Sequence, residues 1–183
     1  MNQVLKISLA FIITISFTVS ITAQNKVRWI SWEEALSANE KEPRKFVVDI
    51  YTKWCGWCKK MDKATFQKDY VASYINKNYY AIKFDAETDK KIFFKGEEYN
   101  LVTKGRKKYH ELAVAITQGQ LSYPTVVFLD EHLTVIQPIN GFQDAKTFEL
   151  IMTYFAGNHY KDIPWNSYTS TYNRNTTIHT VKN

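Results

Sequence analysis

Residues 48–59 read Val48-Asp49-Ile50-Tyr51-Thr52-Lys53-Trp54-Cys55-Gly56-Trp57-Cys58-Lys59. The stretch begins inside an apolar, β-forming run from Phe46 to Tyr51, which predicts a buried strand. A short link follows, and a Cys-x-x-Cys pair then opens a helical segment. Cys55 would lie at the helix N-terminus, where unpaired N–H groups and the macrodipole favour an anion. It is therefore expected to be the more acidic and more exposed thiol, and the nucleophile. Cys58 would lie about one turn later, placed to attack a mixed disulfide between Cys55 and a substrate. Gly56 leaves room for a partner's backbone. Trp54 and Trp57 set flat apolar surface around the reactive sulfur, which suits an unfolded or extended peptide. An Asp between Val48 and Ile50 on a buried strand is costly unless it is paired.

The chain has two cysteines, so any intramolecular bridge must join Cys55 to Cys58. So small a loop contributes little stability through chain entropy, and the pair reads as chemistry more than as a staple. Other uses compete with this one. A zinc site needs about four ligands, and His110, His132, His159 and His179 show no paired zinc spacing. Copper delivery would call for a Met-rich or His-rich stretch, and there is none. A purely structural disulfide is the third alternative. Neither a metal nor an organic cofactor is expected.

Upstream, Met1 to Lys6 carries one positive charge, Ile7 to Ile21 is apolar, and Thr22-Ala23-Gln24 offers a small residue for cleavage. That pattern predicts a secretory signal over residues 1–23. A spanning helix needs ~20 apolar residues, so cleavage is favoured over a retained anchor. A periplasmic or secreted protein is expected, without stable membrane insertion after cleavage. Outside the cytosol a disulfide can persist. The aromatic content, 15%, supports a real core and excludes wholesale disorder. One domain is expected over 24–158, followed by a polar tail over 159–183.

Ser31 and Glu34 form a capping box that starts a helix ending near Lys41, ahead of Pro43. After the cysteines the helix should break near Thr65 and resume across Tyr70 to Ile75. Tyr79 to Asp85 predicts a strand. Residues 87–108 turn polar and basic and read as a solvated insertion; their lysines carry no nucleic-acid motif. A helix is expected over Tyr109 to Gln118, a strand over Val126 to Leu129, a weaker edge strand over Thr134 to Pro138, and a helix over Ala145 to Ala156. The tail lacks periodicity, with Ile163, Pro164 and Trp165 as its docking candidates. Alternation of helices and strands, ending in adjacent strands, implies an α/β fold with a mixed central sheet covered by helices on both faces.

Taken with Lys83-Phe84-Asp85, Tyr123-Pro124-Thr125 and Gly141 in that order, residues 48–59 resemble the active-site strand and helix of the thioredoxin superfamily. The run Met61-Asp62-Lys63-Ala64-Thr65-Phe66, with Val71 and Asn76 after it, is closer to the exported thioredoxin-like branch that includes the C-terminal domain of DsbD. The resemblance covers about residues 30–157 and implies the three-layer thioredoxin-like fold. It makes Asp49 the buried acid that helps deprotonate the resolving cysteine, and Lys83 the lysine beside it. It makes Pro124 a cis-proline facing the dithiol and, with Tyr123, Thr125 and Trp54, part of the substrate surface. Gly56-Trp57 departs from thioredoxin's Gly-Pro, and the histidine of strong oxidants is absent. The implied function is a thiol–disulfide oxidoreductase, reductase or isomerase rather than strong oxidant, monomeric, acting on disulfide-containing proteins and recharged by a redox partner protein. The alternative is a binding module that kept the fold and docks a partner without turnover. No nucleic acid is expected among its partners.

Overall fold

The computed structural model describes residues 26–174. The expected signal segment, and the tail beyond Arg174 with His179, lie outside them. The elements run β1 (Trp29–Ile30), α1 (Trp32–Lys41), β2 (Lys45–Tyr51), α2 (Gly56–Met61), a π-helical turn (Asp62–Phe66), α3 (Asp69–Asn78) and β3 (Tyr79–Asp85). Two hairpins follow, β4 (Ile92–Phe94) with β5 (Glu97–Tyr99) and β6 (Leu101–Lys104) with β7 (Lys107–His110). The chain continues through α4 (Glu111–Ile116), β8 (Thr125–Leu129), β9 (Val135–Asn140), α5 (Ala145–Ala156), a 3-10 turn (His159–Lys161) and α6 (Trp165–Thr171).

The central sheet has the order β1-β3-β2-β8-β9. Its first three strands are parallel and the last two are antiparallel additions. The mixed sheet is the expected one; β1, only two residues long, was below what a sequence pattern shows. Strand alternation sends Phe46, Val48 and Ile50 of β2 into a core shared with α1, α4 and the first hairpin. Val47 enters the opposite core, built on α2, α3 and α5. Asp49 has the parity of Val47 and therefore shares the face that α2 covers. Lys83 has the parity of Ala81 in that same core, and it is the register partner of Asp49 across β2 and β3. Strand pairing thus sets the lysine beside the acid.

Residues 87–108 differ from the expected solvated connection. Ile92 and Phe94 are buried against the α1 core, with Trp32 and Phe94 rings 5.3 Å apart. Lys95 and Gly96 both have positive φ, the geometry that a two-residue hairpin turn requires. Strand alternation over three residues and a Lys-Gly turn are short signals, easily lost in a basic run. His110 closes the insertion: its backbone N–H donates to Ala86 O, its ring bonds Lys90 O at 3.0 Å, and its Nδ1 accepts from Leu112 N–H at the start of α4. That cap moves the helix start from Tyr109 to Glu111.

The tail also differs. Residues 159–171 hold a 3-10 turn and α6; the Trp165 ring meets Tyr154 of α5 edge-on at 5.2 Å and Tyr154 OH donates to Ile163 O, so this cluster does dock on the body, while Tyr168 is the residue buried there. Tyr168 donates to Thr153 Oγ1. Glu149, buried on α5, receives Tyr172 OH at 2.9 Å and a two-pronged bond from Arg174, whose Nε lies 2.7 Å away. The Arg174 guanidinium also covers the Tyr70 ring at 4.7 Å. A buried carboxylate stripped of its cation is costly, and the half-exposed arginine lowers that cost. Arg174→Ala should therefore destabilise the fold by about 1–2 kcal/mol in urea unfolding. An unchanged midpoint would mean that Tyr172 suffices to hold Glu149.

Candidate active site

Tyr51 ends β2 and Thr52 begins the link to α2, so the strand delivers the chain to the cysteines within four residues. Cys55 is the N-cap of α2, and its Sγ accepts the Cys58 backbone N–H at 3.0 Å. A thiolate on Cys55 would meet that donor. Cys55 and Cys58 are joined in a disulfide with S–S 2.04 Å. Their exposures are nearly equal, 5% and 6%, so the expected greater exposure of Cys55 is not seen in this oxidised state. The surface around them is what is open. A Cβ added to Gly56 would meet nothing within 4 Å, and Trp54 and Trp57 are 65% and 57% exposed.

Beneath the disulfide lies a cavity of about 270 Å³ lined by Asp49, Thr52, Cys58, Asp62 and Lys83, with Lys53, Lys59 and Lys63 around it. Lys83 Nζ stands 3.6 Å from Asp49 Oδ2 and makes a second, close ion pair with Asp62. The Trp29 and Tyr51 rings lie 5.2 and 5.6 Å from the same ammonium. Burial pushes the Asp49 carboxyl up to about 6, against the pull of Lys83 and with a smaller push from Asp62. An acid titrating there is ionised at neutral pH and can take a proton from a thiol in its own cavity. Asp62 was missed by sequence reasoning. Its signal was helical spacing, since it follows Cys58 by four positions and so falls on the same helix face.

On the other side of the disulfide, Trp54 meets Tyr123 edge-on at 5.6 Å, and its indole N–H donates to both oxygens of Glu87 at 3.1 Å. The Tyr123–Pro124 peptide bond is cis. Thr125 is fully buried and its hydroxyl bonds Ser122 O and Asn140 Oδ1, so it fastens this loop rather than presenting a side chain. Trp57 packs on Phe142 at 5.7 Å, and Lys60 Nζ caps both rings at 4.4 and 5.2 Å. Glu87 and Phe142 carried no sequence signal, because each reaches the site from a separate loop; Lys60 follows Trp57 by three positions on α2, a helical spacing that could have found it. Among the described residues, no three His, Cys, Asp or Glu side chains are grouped to hold a metal ion.

The model of the family Thioredox_DsbH, described as "Protein of unknown function, DUF255", matches residues 13–155. The chain belongs to this family. It is a member of the thioredoxin superfamily, and its fold is shared by solved structures of low identity. A thioredoxin from Thermus thermophilus superposes with TM-score 0.53 at 17% identity, over 71% of this chain and 87% of that one. A structure titled DsbH Oxidoreductase superposes with TM-score 0.50 at 15% identity, over 85% of this chain and 94% of that one. In sequence, Uncharacterized protein B0495.5 of Caenorhabditis elegans is 26% identical over 120 residues, 65% of this chain. The chain spans only 14% of that protein's length.

An acid held above its unfolded value of 3.8 binds its proton more tightly when folded. Ionised Asp49 therefore costs stability above about pH 6, and the cost fades as pH falls toward 3.8. Asp49→Asn should stabilise the protein by about 1–3 kcal/mol at pH 8 and lose that advantage near pH 4. Denaturant melts at the two pH values check the sign; equal gains at both would show that the charge is not what Asp49 costs. Asp62→Asn should move the Asp49 titration below 6, because a like charge is removed and Lys83 is left to Asp49. Carboxyl NMR of the oxidised protein reads this directly, and an upward move would mean that Asp62 was holding Lys83 in place.

Proposed function

We propose that this protein is an exported thiol–disulfide oxidoreductase acting on protein disulfides, in the direction of reduction or isomerisation. The observation that carries the reading is one cavity lined by Cys58, Asp49, Lys83 and Asp62, so that the Cys58 half of the Cys55–Cys58 bridge borders the acid's cavity. A disulfide serving as a staple has no use for a carboxylate held near neutrality beside it. The signal-like residues 1–23 support export, which is also where the protein substrates would carry disulfides. Among the described residues no helix is long and apolar enough to cross a membrane.

In the reduced protein, Cys55 thiolate attacks one sulfur of the client disulfide, and the other client sulfur leaves as thiolate. The Cys58 thiol then gives its proton to Asp49 and attacks Cys55 Sγ. The client's second thiolate leaves, and the Cys55–Cys58 disulfide forms. Two electrons have passed to the client. A dithiol partner protein restores the reduced pair by the reverse exchange. Trp54, Trp57 and Tyr123 would hold the client chain over the open surface at Gly56. The protein works as a monomer in this scheme and needs no organic cofactor.

The test is trapping. Cys58→Ser should accumulate mixed disulfides with client proteins through Cys55, whereas Cys55→Ser should not. Turnover by Asp49→Asn should fall about 10- to 100-fold near neutral pH, and the inflection near pH 6 should vanish from its rate profile. Equal trapping by both cysteine variants, or by neither, would favour a docking module without turnover.

A further inference from the structure

The charges around the disulfide are not balanced in the same way on both sides. On the Trp54 side the acids are occupied: Glu87 takes the indole N–H, and Asp85 lies 3.7 Å from Lys53 Nζ. Below, Lys83 holds both Asp49 and Asp62. Lys59, Lys60 and Lys63 are different. All three are exposed, and none has a carboxylate in ion-pair reach among the described residues. Lys60 leans over the Trp57 and Phe142 rings, while Lys59 and Lys63 rim the cavity that Cys58 lines. That cavity counts four lysines, Lys53, Lys59, Lys63 and Lys83, against two aspartates.

Lysines in the last turn of a helix also favour its macrodipole. The dipole would be served by lysines on any face. It does not account for one resting on the aromatic shelf beside the disulfide and two at the mouth of the cavity beneath it.

We propose that this face selects client disulfides flanked by acidic side chains. The inference rests on the oxidoreductase reading and adds the substrate class. A client segment laid on Trp57 would bury apolar surface there and bring its carboxylates to Lys60 and, across the helix, to Lys59 and Lys63. The same cations favour the thiolate that leaves the client when Cys55 attacks. Because the lysines are exposed, the selection acts through encounter and weak pairing, and salt should screen it.

The experiment uses three otherwise identical peptides, each with one cysteine in mixed disulfide with 2-mercaptoethanol, flanked by Glu, Gln or Lys. Each rate with the reduced full chain is divided by the rate with dithiothreitol, which removes the peptide's intrinsic reactivity. At low salt the Glu peptide should react about tenfold faster than the Lys peptide, with Gln between them. The ratio should shrink below about threefold at 0.5 M salt. The triple variant Lys59→Glu/Lys60→Glu/Lys63→Glu should reverse the order, and the gentler Lys60→Gln should lower the Glu/Lys ratio if the triple variant fails to fold. Equal corrected rates for the three peptides, or a ratio that salt leaves unchanged, would overturn the proposal while leaving the oxidoreductase reading intact. No acceleration over dithiothreitol with the neutral Gln peptide would instead sink that reading, and the selectivity with it.

Discussion

A carboxylate on the second strand of this sheet has nowhere to go. β2 is paired on both edges, by β3 and by β8, and Asp49 is 2% exposed. An ionised group so placed needs a partner. Parallel register supplies it, since the residue opposite Asp49 on β3 is Lys83 and both side chains share the face under α2. Lys83 in turn is only 28% exposed and is held from above by Asp62 and from the sides by two aromatic rings. One ion pair therefore ties the sheet to the helix that carries the disulfide.

That arrangement leaves Asp49 poised rather than quenched. A tighter pair with Lys83 would hold the carboxyl low, and full desolvation without Lys83 would push it higher still. Sharing the lysine with Asp62 leaves Asp49 near 6, where it can both lose and accept a proton in the neutral range. Thr52, in the same cavity, has a fully buried hydroxyl with no protein partner.

Much of this could be read from the chain. The strand-to-cysteine link, the capping box at Ser31, the break near Thr65 and the mixed sheet each rest on local patterns with a strong physical cause. The pairing of Asp49 with Lys83 was legible only through the resemblance, because it depends on strand register across thirty-four positions. Asp62 could have been found by helical spacing. So could Lys60, three positions after Trp57 on α2, whereas Glu87 and Phe142 could not, as their contacts depend on how loops close around the disulfide. The two hairpins and the C-terminal helix were lost for the same reason in reverse. Their elements are short, and they are held by particular long-range partners, Trp32 for Phe94 and Thr153 for Tyr168, that no periodicity announces.

The first hairpin and the site are connected through one segment. β3 ends at Asp85, and the next residues, Ala86 and Glu87, face opposite ways in function. Ala86 is fully buried and its carbonyl accepts the His110 N–H that closes the insertion, while Glu87 reaches out to the Trp54 indole. Trp54 is therefore oriented by a loop whose far end is fixed by His110. Burial keeps the His110 ring below its ordinary pKa, and its Nδ1 must stay unprotonated to accept from Leu112. A neutral histidine of this kind contributes stability that is complete above the unfolded value near 6.5 and declines as pH falls through the lowered folded one. The insertion is thus more than a decoration on the sheet: it anchors the side chain that flanks the disulfide, and the anchor is firmest in the pH range where Asp49 is ionised.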